Sequence, residues 1–266
     1  MKKNQLEFVI VGCGNLAWHL ANKISSLSQA HLTVYNHKPN PQLEKFKKKF
    51  NCKVSSQLNE MNNKADYYFI CVSDKAIATI ANKLKIDHPN ALLMHTSGSQ
   101  SIEVLGKKNK NLAVYYPLQT FSKQDKLNWS KTPILIEANH PQSLTAVKQL
   151  ATILGNKYFE INFQERLQLH LAAVLVNNFT NALYVEAFKL LPKENKNNFN
   201  LLLPIMKQGI KKIEKVHPLL AQTGPAKRHD TEVMKQHLNL LKNNSQLKDV
   251  YEKLSNLIIS QQKNIT

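Results

Sequence analysis

Gly12, Gly14 and Ala17 stand at the spacing G-x-G-x-x-G/A within Gly12-Cys13-Gly14-Asn15-Leu16-Ala17. The apolar run Phe8-Val9-Ile10-Val11 precedes them, and Leu16, Leu20, Ile24 and Leu27 follow at helical spacing. The motif therefore sits where a strand turns into a helix. The chemistry available there is anion binding. The first glycine permits a tight turn, the second lets backbone approach a pyrophosphate, and a small third residue lets helix and strand pack closely. The helix start adds free N–H groups and a partial positive charge. A bare glycine pattern is weak, but at the first strand–helix turn it specifies a dinucleotide. Gly12, Gly14, Asn15, Leu16 and Ala17 are the expected contacts.

The end of the second strand selects among dinucleotides. NAD sites place Asp or Glu about 20 residues on, where it accepts from the ribose hydroxyls. Here Asn36 stands 22 residues after Gly14, followed by His37 and Lys38, with no carboxylate among them. A carboxylate would repel a 2′-phosphate, whereas an amide donor, an imidazole and an ammonium attract one. NADP is favoured over NAD; the alternative for Lys38 is a solvated loop lysine beside Pro39. Two further strand ends complete the expected cofactor site. Val72 and Ser73 line its ribose and pyrophosphate side, and the turn Thr96 to Ser99, with Thr96 and Ser97 as its expected contacts, lies nearer the nicotinamide, because open α/β sheets bind ligands at the carboxyl ends of their strands. His95 reads either as part of that site or as a strand-end histidine packed against a helix.

A second constellation lies on a long helical stretch. His170, Asn177 and Asn181 are separated by seven and four residues, which places them on one face of an α-helix, with Asn178 beside them. Polar groups among Ala172, Ala173, Val174, Leu175 and Val176 must find partners, in a ligand or in a neighbouring helix. Arg228 lies in Gly224-Pro225-Ala226-Lys227-Arg228-His229-Asp230. It is one of two arginines, with Arg166, in a chain of 36 Lys and Arg residues. A retained arginine suits a carboxylate or phosphate that needs a planar two-donor partner; the alternative is a structural pair with Asp230 or Glu232. Asp230 is also placed to cap the following helix.

The elements that position these groups follow from periodicity. Strand candidates at Phe8–Val11, Leu32–Tyr35, Lys53–Ser55, Ala65–Val72, Ala91–His95, Ala113–Tyr116, Pro133–Glu137 and Tyr158–Ile161 alternate with helical segments, including Gln42–Phe50. Runs apolar on both faces belong inside a sheet covered on both sides, so residues 1–163 predict a doubly wound α/β domain. From residue 164 onward the periodicity is helical: Gln164–Leu191, Asn198–Val216, Thr231–Leu241 and Ser245–Ile259. The expected organisation is a Rossmann domain, 1–163, and an all-α domain, 164–266.

Composition removes other classes. The formal charge is +18, but the cations are almost all scattered lysines, and runs such as Lys45, Lys47, Lys48 and Lys49 read as solvated helix faces. With no nucleic-acid motif and few arginine forks for base edges, no nucleic-acid partner is expected. The positive field suits a phosphorylated cofactor. Cys13, Cys52 and Cys71 form neither a disulfide framework nor a metal site, and Cys13 and Cys71 read as small buried side chains. No apolar run reaches the ~20 residues of a membrane span. Met1-Lys2-Lys3-Asn4 shows no signal-peptide pattern, so a cytoplasmic location is expected.

The segments Val11-Gly12-Cys13-Gly14-Asn15, His95-Thr96-Ser97-Gly98-Ser99, Tyr116-Pro117-Leu118-Gln119-Thr120-Phe121-Ser122, Asn177-Asn178-Phe179 with Asn181, and Gly224-Pro225-Ala226 with Arg228 and Asp230 resemble a bacterial family that joins a Rossmann-like domain to a DUF2520 domain. The likeness covers nearly the whole chain. That family is similar to the group of β-hydroxyacid dehydrogenases, pyrroline-5-carboxylate reductases and F420-dependent NADP oxidoreductases. The resemblance implies an NADP-linked oxidoreductase whose all-α domain resembles the 6-phosphogluconate dehydrogenase C-terminal type and often dimerises. The β-hydroxyacid dehydrogenases carry a catalytic lysine four residues before the paired asparagines; here those positions are Ala173 and Val174. His170 is the nearest replacement, since an imidazole exchanges protons near neutral pH. The sequence thus predicts hydride transfer to or from a small, acidic substrate, with His170 moving the proton, Asn177 or Asn181 orienting the substrate and Arg228 clamping an acid group. The alternative is a non-catalytic, redox-sensing dinucleotide binder.

Overall fold

Alternate residues of the first strand enter opposite cores. In β1 (Leu6–Val11), Phe8 and Ile10 join one apolar cluster, and Val9 and Val11 another. All four are at most 1% exposed, and each such side chain contributes about 1.5–3 kcal/mol of transfer free energy. This two-faced burial makes the strand a continuous apolar run and requires helices on both sides of the sheet.

The computed structural model describes residues 5–39, 41–192 and 198–263. Met1-Lys2-Lys3-Asn4, read above for a targeting pattern, lies outside the described residues. The chain runs β1, α1 (Asn15–Ser25), β2 (Ala30–Tyr35), α2 (Pro41–Phe50), β3 (Lys53–Ser55), β4 (Tyr67–Ile70), α3 (Asp74–Lys83), β5 (Leu92–His95), β6 (Asn111–Pro117), β7 (Ile134–Ala138), α4 (Pro141–Ile153), β8 (Tyr158–Glu160) and α5 (Phe163–Ala173). The sheet order is β3-β2-β1-β4-β5-β6-β7-β8. From β3 to β6 all pairings are parallel; β7 is antiparallel to β6, and β8 is parallel to β7. An antiparallel neighbour needs no helical crossover, so the segment between β6 and β7 is an irregular loop. It carries a 3-10 turn at Trp129–Lys131.

Contacts divide the chain into Met1–Asn178 and Phe179–Thr266, a later boundary than the expected 163. The reason lies in α5. Asn162 and Glu165 form a reciprocal capping box that starts the helix, and the side chain of Arg166 is 0% exposed among residues of the sheet domain. A π-helical turn, Val174–Phe179, follows α5. The expected continuous helix Gln164–Leu191 is thus broken in character at the paired asparagines.

The second unit contains α6 (Thr180–Leu190), α7 (Leu203–Ile213), α8 (Pro218–Ala221), α9 (Thr231–Leu240) and α10 (Ser245–Lys263). Asp230 caps α9 by accepting from the Val233 N–H at 3.2 Å. Among its described residues only Ala226, Leu241 and Ser255 are buried. No helix among the described residues is long and apolar enough to cross a membrane.

Candidate functional site

The two glycines of the phosphate loop are required for different reasons. Gly12 has φ 113°, and a Cβ there would lie 2.2 Å from the Cys71 carbonyl oxygen at the end of β4. Its N–H donates to the Tyr35 carbonyl at 2.7 Å, tying the turn to β2. Gly14 is the N-cap of α1 and offers no side-chain cap, and a Cβ there would meet nothing within 4 Å. No protein packing demands a glycine at that position. The open space in front of uncapped N–H groups is what an approaching phosphate needs. Ala17, 0% exposed, packs α1 against the sheet. These residues fit a dinucleotide pyrophosphate.

At the end of β2, the Asn36 side-chain amide donates to the Lys38 carbonyl at 2.9 Å. One N–H of the amide expected to face a phosphate is thus held by its own loop, while His37 and Lys38 are exposed. Val72 is half-buried, and Ser73 is exposed at the start of α3. The Thr96 hydroxyl donates to the Ile70 carbonyl at 3.3 Å. Ser97 is buried, and its Oγ accepts from the N–H groups of Ser99 and Gln100 at 3.1 and 3.2 Å. Ser97 therefore shapes the turn after β5.

That turn carries a cluster of groups able to do chemistry. Tyr116, on β6, and His170, on α5, meet over Gly98, with Tyr116 Oη 2.9 Å from His170 Nδ1. A Cβ on Gly98 would lie 2.6 Å from His170 Nδ1 and 2.8 Å from Tyr116 Cζ, so the turn must pass beneath both rings without a side chain. Burial pushes the Tyr116 phenol above its ordinary pKa, which keeps its O–H available to donate to Nδ1. A neutral His170 ring accepting that bond carries its own proton on Nε2.

Beneath the turn, Arg166 Nη1 donates to the carbonyls of Ser97 and Gln100 at 2.9 and 2.8 Å, and Nη2 donates to Glu137 at 2.8 Å. His95 is 0% exposed and accepts from the Ser97 N–H at 3.1 Å through Nδ1. It is the packed strand-end histidine. Burial, then the Arg166 guanidinium, push its pKa down to about 3. The unfolded chain, titrating near the ordinary 6.5, therefore takes up this proton first as pH falls. The contribution is full above about pH 6.5 and is lost progressively towards pH 3. Denaturant titrations at pH 7 and pH 4.5 are expected to show wild type losing about 2–3 kcal/mol more than His95→Gln. Equal losses would contradict the assignment.

His170, Asn177 and Asn178 line a cleft of about 680 Å³ together with Tyr116 and with Asn15 and Leu16 of the phosphate loop. The first two predicted chemical residues are thus brought to the loop. Asn177 is exposed and lies in the π-helical turn. The wider turn breaks the α-helical phase on which the shared face of His170, Asn177 and Asn181 was read. Asn181 and Arg228 belong to the second unit. Arg228 is exposed, and among the described residues no ion pair joins it to Asp230 or Glu232. Sequence reasoning missed Arg166 and Tyr116 as site residues, and reached Gly98 only as part of the turn Thr96 to Ser99. The scarcity of arginine was a usable signal for Arg166.

Sheet order, crossover pattern and phosphate loop define a Rossmann-type dinucleotide-binding protein. Residues 7–97 match the family model described as NADP oxidoreductase, coenzyme F420-dependent, and residues 132–258 match the domain of unknown function DUF2520. A Bacteroides fragilis protein provisionally named an NADP oxidoreductase is 32% identical, with 96% of this chain and 98% of that one covered and a TM-score of 0.88. The chain belongs to this family of NADP oxidoreductases with a DUF2520 domain. The fold is shared more distantly with two further structures. A Streptococcus pyogenes 1-pyrroline-5-carboxylate reductase is 12% identical, with coverage of 96% and 98% and a TM-score of 0.59. A Myxococcus stipitatus imine reductase in complex with NADP+ is 12% identical, with coverage of 97% and 94% and a TM-score of 0.63. No curated protein matches the chain.

Proposed function

We propose that the chain is an NADP-dependent oxidoreductase acting on a small, acidic substrate held in the cleft beside Tyr116 and His170. The observation that carries this reading is the hydrogen-bonded Tyr116–His170 pair lining one cleft with Asn15 and Leu16 of the phosphate loop. Bound NADP supplies the hydride chemistry; the side chains supply position, charge and the proton. Tyr116 fixes the His170 ring through Nδ1, and Nε2 exchanges a proton with the substrate oxygen or nitrogen. Asn177 orients the substrate. The preference for NADP over NAD rests on the absence of a carboxylate at Asn36, His37 and Lys38.

The test is substrate-dependent change in NADPH absorbance across keto acids, their imines and the corresponding hydroxy and amino acids. Turnover of one class is expected. With that substrate, His170→Ala should lower kcat by about 10²–10⁴-fold. Tyr116→Phe should fall less and shift the pH profile, because it removes only the group that orients the ring. Full turnover by His170→Ala would remove its role. The second reading, a non-catalytic redox-sensing binder, is favoured by Ala173 and Val174 at the positions of the related lysine. It predicts nucleotide binding with no turnover anywhere in the panel.

A homodimer belongs to the same proposal. In the helical unit Leu201, Ile205 and Leu240 are 74%, 70% and 79% exposed, and few described side chains of that unit are buried. An all-helical unit with so little core needs another surface to cover its apolar faces. Sedimentation should give a two-subunit mass, and Ile205→Glu or Leu257→Glu should shift it towards the monomer with a lower melting temperature. A monomeric wild type would contradict this.

A further inference from the structure

The loop between β6 and β7 returns to the phosphate loop. Asn15 Nδ2 donates to the Phe121 carbonyl at 2.8 Å, and a His19 ring nitrogen lies 2.7 Å from the Ser122 carbonyl. The next residue, Lys123, places its ammonium 3.0 Å from the Cys13 carbonyl and 2.8 Å from Gln42 Oε1. The same ammonium lies 5.8 and 5.7 Å from the ring centroids of Trp18 and Phe46. Both hydrogen-bond acceptors are neutral, and among the described residues no ion pair involves Lys123. Burial, with like-charged Lys45 adding to it and Cys13 acting the other way, lowers its pKa, so its charged form gains from an added anion.

We infer that Lys123 is a cofactor-specificity residue, its ammonium recognising the 2′-phosphate that distinguishes NADP(H) from NAD(H). Cys13 lies between the two glycines of the loop, and Gln42 is in the first turn of the helix that follows β2. In this architecture the adenosine ribose occupies the space between those two elements, and the group at the end of β2 reads its 2′ position. Lysine binds phosphate as a point charge, and two neutral hydrogen bonds and two aromatic rings hold this one in place. Asn36 leaves room for such a role, because its amide donates within its own loop, to the Lys38 carbonyl.

The inference rests on the NADP reading proposed above, and the experiment separates the two. Wild type, Lys123→Met and Lys123→Arg are titrated with NADPH, NADH and 2′,5′-ADP, with a thermal melt of each variant. Lys123→Gln, which retains hydrogen-bonding capacity without charge, replaces Lys123→Met if the latter does not fold. The expected result is an NADPH and 2′,5′-ADP affinity about tenfold weaker in the uncharged variant, NADH within about twofold of wild type, and most of the NADPH affinity kept by Lys123→Arg. Equal weakening of NADPH and NADH, or no change in either, overturns the assignment while leaving the NADP reading intact. A wild type that binds none of the three overturns both.

Discussion

Gly12→Ala is expected to lower the melting temperature by about 10 °C or more, and Gly14→Ala by only a few degrees. The two glycines belong to one motif, yet the environment of an added methyl group differs completely between them. At Gly12 the backbone sits at φ 113°, and the methyl would lie 2.2 Å from the Cys71 carbonyl oxygen and 3.3 Å from Val72 Cγ1. Neither obstacle is the free end of a flexible side chain. Carbonyl oxygen and turn must separate, which disturbs the β1–β4 pairing at its carboxyl end, where the Cys71 N–H donates to Val11 at 2.8 Å. Strain of about 1–3 kcal/mol and overpacking of similar size give a loss of roughly 2–6 kcal/mol. At Gly14 the backbone is in an ordinary extended region and the methyl meets no atom within 4 Å. Thermal melts of both variants check the contrast; equal destabilisation would show that the loop geometry is wrongly understood.

Arg166→Met should cost about 3–5 kcal/mol in denaturant titration, the loss typical of removing one partner from a buried pair. The guanidinium is 0% exposed and its partner Glu137 is 18% exposed by side chain. Its removal leaves that carboxylate without its cation and strips the carbonyls of Ser97 and Gln100 of their donors. The double variant Arg166→Met with Glu137→Gln should recover part of the loss, because the stranded charge is then gone. A cost below about 1 kcal/mol would contradict the structural role. The same change should raise the pKa of His95, on which the Arg166 charge acts to lower it.

The Arg166 case shows where sequence reasoning stopped. Composition alone marked two arginines in a lysine-rich chain, and the geometric argument for a planar fork was applied to Arg228. It fits Arg166 as well, whose fork spans two carbonyls and a carboxylate drawn from segments far apart in the chain. No local pattern reveals such convergence. By contrast, the strand and helix alternation was legible because burial on both sheet faces forces continuous apolar runs, and the phosphate loop was legible because its glycines answer to local backbone demands. The reversal of β7 and the π-helical turn at Val174–Phe179 were not legible. The first depends on pairing between segments, and the second is a one-residue change of helical pitch that apolar periodicity does not register. Tyr116 was visible only as a residue of a familiar segment, and Gly98 only as part of the turn Thr96 to Ser99 at a strand end. Their function follows from His170 packing over them, a contact between residues more than fifty positions apart.

Binding of NADP(H) at the phosphate loop is open to calorimetric titration of the purified protein. The structure leads us to expect micromolar NADPH binding, weaker NADH binding, and loss of both in Gly14→Asp with the melting temperature of that variant little changed, because the added side chain enters open space and opposes only the phosphates. Absence of NADPH and NADH binding by the wild type, or undiminished NADPH binding by Gly14→Asp, would contradict it.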